Sequence, residues 1–282
     1  MSEFKLLENG DFTGERALFM SKDLKVVNSV FHDGESPLKE SENLCVEGCS
    51  FRWKYPLWYC DHVVVKNCDF QEMGRAGIWY TNDITLTDCE YIAPKGFRRA
   101  GNIKLERVEF SHAAETLWNC DDVIIKDCHV VGDYFAMGSR NVLAYNLRLD
   151  GNYGFDSCSN IEIHDSILNT KDAFWNCDNV TVYDSTIIGE YLAWNTSNIT
   201  FINCRIESNQ GVCYTENLRM VDCTLENTPL AFEYSTCDAT VLSIIDSVKN
   251  PISGRIVCRG VGELIFDDPA IDPSKTEIII EK

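Results

Sequence analysis

Positive charge is scarce in this chain. Lys and Arg number 25 against 44 Asp and Glu, a formal net charge of −19. No basic stripe offsets that field, so phosphate backbones and anionic bilayer surfaces are repelled. Nucleic acid and membrane are therefore not expected as partners. Long apolar runs are also missing. No window approaches about 18 uninterrupted apolar residues, which excludes a transmembrane helix. Residues 1–10 mix acidic and basic side chains and do not read as a secretion signal. No CxxC pair occurs among 14 cysteines, which argues against zinc, and no metal site is expected. No phosphate loop, nucleotide fingerprint or Ser-His-Asp set is present, so no cofactor is expected.

What is present is a repeat. Segments starting at Phe135, Gly154, Ala173, Leu192, Gly211 and Leu230 are each 19 residues apart. Earlier coils start near Thr116, Gly96, Gly77, Pro56, Pro37 and Ala17, at intervals of 19 to 21. Position 8 of each coil is apolar, from Leu24 and Leu44 to Ile199 and Leu218, and so is position 10. Position 9 between them is mixed. That alternation marks a half-buried strand. Position 13 is small and position 15 large and apolar (Phe31, Phe51, Phe70, Tyr91, Phe110). Positions 7 and 12 are almost all Asn or Asp, residues that tolerate left-handed backbone and bond their own turns.

Strands this short, without hairpin turns, stack into long parallel sheets. Strict six-residue repeats, the mark of a left-handed helix, are absent. The crossover rule favours the right hand. The expected fold is a single-stranded right-handed parallel β-helix of about 12 coils, one domain over 1–282. Coils occupy 17–251, with caps at 1–16 and 252–282, and Thr276–Glu281 carries a short strand signal. Ten of the cysteines fall at positions 5 and 13, small inward slots, so they are expected as buried reduced thiols in a cytoplasmic protein.

Position 3 carries the candidate chemistry. It holds Trp58, Trp79, Trp118, Trp175 and Trp194, with Lys39, Arg98, Met137, Asp156, Cys213 and Phe232 between or beyond them. Position 2 is uniformly apolar and fits the core better, so row 3 is expected to face outward. The preceding row adds Tyr55, Tyr134, Tyr153, Asp172 and Tyr191. An outward strip of this kind suits stacking of sugar rings, with carboxylates binding hydroxyls. It equally suits an oligomer interface anchored by Trp, Tyr and Arg. A third reading is that the row is covered by other segments or points inward.

Asp156 and Asp172 lie about one coil apart near Trp175, and paired carboxylates cleave glycosides at separations of roughly 5 to 9.5 Å. Chance pairing is the competing account in a chain with so many acids. Pro94 to Arg99, with Arg75 a coil earlier, is the one concentrated basic spot on this face. It fits a uronate or phosphate held by bidentate bonds, or else simple charge balance. Arg98 and Asp156 break the pattern of their own row and are the sharper catalytic candidates. Stacked Asp165 and Asp184 offer oxygen ligands for calcium or, more simply, turn bonding. His164 sits between Tyr145 and Tyr183, facing solvent.

The phrases ESPLKES (35–41), FRWKYPLWYC (51–60), RAGIWYT (75–81), ETLWNC (115–120), KDAFWNC (171–177), LAFEYS (230–235) and SVKNPISG (247–254) resemble one bacterial family catalogued as a domain of unknown function. The resemblance runs over essentially the whole chain. The family looks like a member of the pectin-lyase-like β-helix superfamily, which implies the right-handed helix. That superfamily includes polysaccharide lyases and glycoside hydrolases, so it implies one of those types if the protein is an enzyme. The family has no catalytic residue to carry over, and the superfamily's calcium-binding acidic cluster facing a catalytic Arg or Lys is not found here. The function expected is recognition, with cleavage as an option, of a carbohydrate on the aromatic face. The alternative is a non-catalytic assembly protein that uses the Trp strip as an interface.

Overall fold

Apolar side chains 19 to 21 residues apart meet in register in the structure, a computed structural model that describes residues 4–281. Leu24 pairs with Leu44, Leu44 with Val63, Val63 with Ile84, and Ile84 with Ile103, always in parallel strands. The alternation of positions 8, 9 and 10 is reproduced as buried, half-exposed, buried. The fold is an all-β parallel solenoid of about 15 turns with a spacing near 19 residues. By contacts the chain divides into two units, residues 1–143 and 144–282.

Within the first unit the expected N-terminal cap contributes a coil of its own. Lys5–Glu8 pairs in parallel with Lys22–Val27, and Asp11–Phe12 with Val30–Phe31. The second unit repeats this at its far end, where Ser253–Cys258 pairs with Thr236–Val241 and Thr276–Ile280 pairs with Ser253–Cys258. These strands raise the turn count from about twelve to about 15. The sequence signal fades there because an end strand has a neighbour on one side only. Leu6 and Ile280 are accordingly exposed.

The bends sit where Asn and Asp place them. In row 7, Asp83, Asn102, Asp122 and Asn141 all have φ between 49° and 55°. Their side chains run up the stack, with Asn102 donating to Asp83 at 2.8 Å and Asn141 to Asp122 at 3.0 Å. In the second unit Asn179 donates to Asn160 and Asn217 to Asn198. Asp165 and Asp184 are left-handed turn residues as well, and Asp184 accepts from Asn203 at 2.6 Å. Turn bonding is what the geometry shows for them.

The small rows solve a satisfaction problem. Backbone N–H groups at the bends lack a ladder partner, and buried donors need one. The next coil's Ser, Thr or Cys supplies it. Cys60 N–H donates to Thr81 Oγ1 at 3.2 Å, Cys120 N–H to Ser139 Oγ at 2.9 Å, and Cys49 N–H to Cys68 Sγ at 3.3 Å. None of the fourteen cysteines forms a disulfide. Burial pushes the thiols of Cys60 and Cys213 up to about 12, which makes them poor nucleophiles. The large row forms a stacked aromatic ladder in the first unit, from Phe12 through Phe31, Phe51 and Phe70 to Tyr91, at centroid spacings of 4.4 to 5.0 Å.

Candidate functional site

Row 3 turns outward because the residue after it is left-handed. Tyr59, Tyr80, Arg99 and Asn119 all have φ between 48° and 58°. Trp58, Trp79, Arg98 and Trp118 thus project half-exposed along one line of the first unit. Trp58 stacks on Trp79 at 5.2 Å and 7°. The Arg98 guanidinium lies between Trp79 and Trp118, 4.6 and 4.7 Å from their centroids. Each indole donates its N–H to a carbonyl of the next coil: Trp58 to Ala76 at 2.5 Å, Trp79 to Lys95 at 3.0 Å, Trp118 to Tyr134 at 2.7 Å. Tyr134 meets Trp118 edge-on.

The second unit repeats the device. Trp175 stacks on Trp194 at 5.8 Å and 9°, and their N–H groups bond the Tyr191 and Gln210 carbonyls. Tyr153 and Tyr191 stand edge-on to Trp175. The strip then continues through residues that the repeat numbering missed. Tyr214 lies 4.9 Å from Trp194 and Tyr234 5.3 Å from Tyr214. Cys213 and Phe232, expected in the outward row, are fully buried. The coil near residue 230 starts one residue later than its spacing suggests, which moves Phe232 into the core. Glu233 takes position 3, is itself buried, and pairs with Lys249 at 3.1 Å.

The tryptophans therefore differ from an open platform. A sugar stacks on a free ring face. Faces of Trp58, Trp79, Trp175 and Trp194 are taken up by stacking between coils, and Arg98 covers faces of Trp79 and Trp118. The strip opens at a cleft of about 260 Å³ in the first unit lined by Tyr55, Trp58, Arg75, Ala76, Trp79, Pro94 and Lys95. Three successive coils build it. Tyr55 N–H bonds the Arg75 carbonyl, and Ala76 N–H bonds that of Pro94. Tyr55 tilts against Trp58 with centroids 4.4 Å apart. Lys95 and Glu115 occupy the same left-handed bend of consecutive coils, so Lys95 Nζ reaches Glu115 Oε2 at 3.1 Å. The same oxygen lies 3.4 Å from Arg98 Nη2. Arg75 is exposed and has no ion pair among the described residues.

Asp156 and Asp172 both belong to the second unit, whereas Arg98 belongs to the first. Asp156 is half-buried, and its Oδ1 accepts from Ser157 Oγ at 2.8 Å and Asn176 Nδ2 at 3.1 Å. Asp172 departs from expectation. The tyrosines at the same place in the adjoining coils, Tyr153 and Tyr191, are half-exposed, yet Asp172 is 1 % exposed and its Oδ2 has no hydrogen-bond partner. Burial holds this carboxyl above the ordinary carboxylate range, against the pull of Lys171 and with help from Glu190 and Asp156. Lys171 is engaged by Glu190 at 3.5 Å and lies over the Tyr191 ring. His164 stacks between Tyr145 and Tyr183 and bonds Glu162 at 2.7 Å.

A family model described as a protein of unknown function, DUF3737, matches residues 5–279. The chain belongs to that family. No curated protein matches it. Among solved structures it is similar to PfbA, a surface adhesin of Streptococcus pneumoniae, at 10% identity and a TM-score of 0.33, covering 91% of this chain and 68% of that one. It is also similar to the A-module of the mannuronan C-5 epimerase AlgE4 of Azotobacter vinelandii, at 8% identity and a TM-score of 0.34, covering 98% and 90%. TM-scores this low carry no argument about function.

Proposed function

We propose that this protein binds one acidic sugar residue in the cleft of Tyr55, Trp58, Arg75, Trp79, Pro94 and Lys95. The observation that carries the reading is the pair of cations, Arg75 and Lys95, beside aromatic walls in a protein of net charge −19. A guanidinium without an acidic partner offers two parallel N–H bonds to a carboxylate. The indole and phenol edges exclude water from the apolar side of the ring. The size sets the scale of the ligand. About 260 Å³ falls below the 300–1,000 Å³ usual for drug-sized ligands, so a single ring fits better than a chain. A uronate of this size, at about −0.3 kcal/mol per atom, binds with a Kd of about 1 mM. The reading assigns no chemical step to Asp156, Asp172 or Arg98.

Trp58 and Trp79 line the cleft, so tryptophan fluorescence reports on it. Titration with D-galacturonate should give a saturable change near that concentration, and D-galactose should give none. Arg75→Ala should weaken galacturonate binding about tenfold or more, the worth of a charge-assisted hydrogen bond. A flat titration of the wild type with galacturonate and glucuronate alike would overturn the reading.

A further inference from the structure

We infer that Glu115 is a built-in competitor for Lys95, and that a bound acid takes Lys95 over while Glu115 withdraws onto Arg98. This rests on the cleft being an acid-binding site. The two cations near Glu115 share a single oxygen. Oε2 lies 3.1 Å from Lys95 Nζ and 3.4 Å from Arg98 Nη2, the second a long contact. Arg98 meanwhile carries a donor that nothing satisfies. Its Nε is buried and has no hydrogen-bond partner.

Nε–H and one Nη2–H point from the same edge of a guanidinium, the edge that grips a carboxylate with two parallel bonds. Trp79 and Trp118 hold the guanidinium from both faces, so it is poorly placed to turn and seek a partner. The acceptor has to come to it. Glu115 is already at that edge by one oxygen. A small swing would bring its second oxygen to Nε and satisfy the orphaned N–H. It would also release Lys95, which lines the cleft.

Two arrangements of one carboxylate follow. In the first it neutralises Lys95, and in the second it is chelated by Arg98. A carboxylate entering beside Lys95 repels Glu115 and favours the second. A neutral sugar brings no such repulsion and leaves Lys95 neutralised. Glu115 thereby sharpens selection for acidic ligands, and Arg98 acts as a positioning residue that never touches the ligand.

The test is calorimetric titration with D-galacturonate of the wild type, Glu115→Gln, Arg98→Lys and the double variant. Near-UV circular dichroism serves as the folding check. Glu115→Gln frees Lys95 and should bind about threefold more tightly, the worth of a surface ion pair. Arg98→Lys removes the chelating edge and should bind about threefold more weakly. The double variant should match Glu115→Gln, because Arg98 matters only through Glu115. A loss in Arg98→Lys that persists in the double variant would make Arg98 merely structural and overturn the coupling. Unchanged or weaker binding by Glu115→Gln overturns the competitor while leaving the cleft reading intact. If the wild type binds no galacturonate, both readings fall.

Discussion

Phe51→Ala is expected to destabilise the first unit by about 3–5 kcal/mol, a large share of the stability of an ordinary domain. Phe51 is fully buried and stacks on Phe31 at 4.8 Å and on Phe70 at 4.7 Å. Each contact contributes about 0.5–1.5 kcal/mol beyond the area it buries. A solenoid gives the site little chance to collapse around the gap, because each coil touches only its neighbours and both are held by their own ladders. Urea unfolding followed by circular dichroism measures the loss. Hydrogen exchange adds where it falls: protection should drop first in Glu42–Glu47 of the same coil and in Lys22–Val27 and Asp61–Lys66 of the adjoining coils. A loss below about 1 kcal/mol would show that the ladder repacks and is not what holds the coils in register.

Asp172→Asn is expected to act in the opposite direction, and only at neutral pH. Asp172 is buried with an unpartnered oxygen, and its folded-state carboxyl lies above the ordinary range, chiefly through burial. The sign follows from linkage. A group that holds its proton more tightly when folded adds stability below its unfolded pKa. That contribution disappears as pH rises through the higher folded value. At pH 7 the ionised carboxylate is therefore a cost, of about 1–3 kcal/mol for an unsatisfied buried group. Asn has nearly the same shape and no charge, so it should stabilise the protein by about that amount at pH 7. The gain should shrink as pH falls and wild-type Asp172 takes up its proton. Unfolding midpoints of the two proteins from pH 4 to pH 7.5 decide the matter. A destabilised variant at every pH would mean that the carboxylate serves the fold as an anion.

Where the fold repeats, the sequence reads well. In the repeating coils each strand pairs with the coil above or below at an offset of 19 to 21 residues, so a row of like residues in the text is a row in space. Leu24, Leu44 and Val63 show their pairing this way, as do the left-handed bends at Asp83, Asn102 and Asp122 and the small row of Cys60, Thr81, Cys120 and Ser139. Lys95 and Glu115 are legible too, since they share a bend row one coil apart. Legibility fails at the ends, where a missing neighbour dilutes the pattern, and near residue 230, where one added residue carries Phe232 inward and puts Glu233 in its place.

By itself, then, the amino-acid order determined the solenoid, its strands and bends, and the row on which the aromatics gather. Those depend on backbone conformation and on nearest-neighbour spacing, both of which repeat. Only the tertiary structure decided which ring faces remain open, that Asp172 is buried between coils whose Tyr153 and Tyr191 are half-exposed, and that one Glu115 oxygen serves two cations while Arg98 Nε has none. These follow from side-chain torsions and from the particular residues one coil away. Torsions have no period, so no repeat in the sequence can report them.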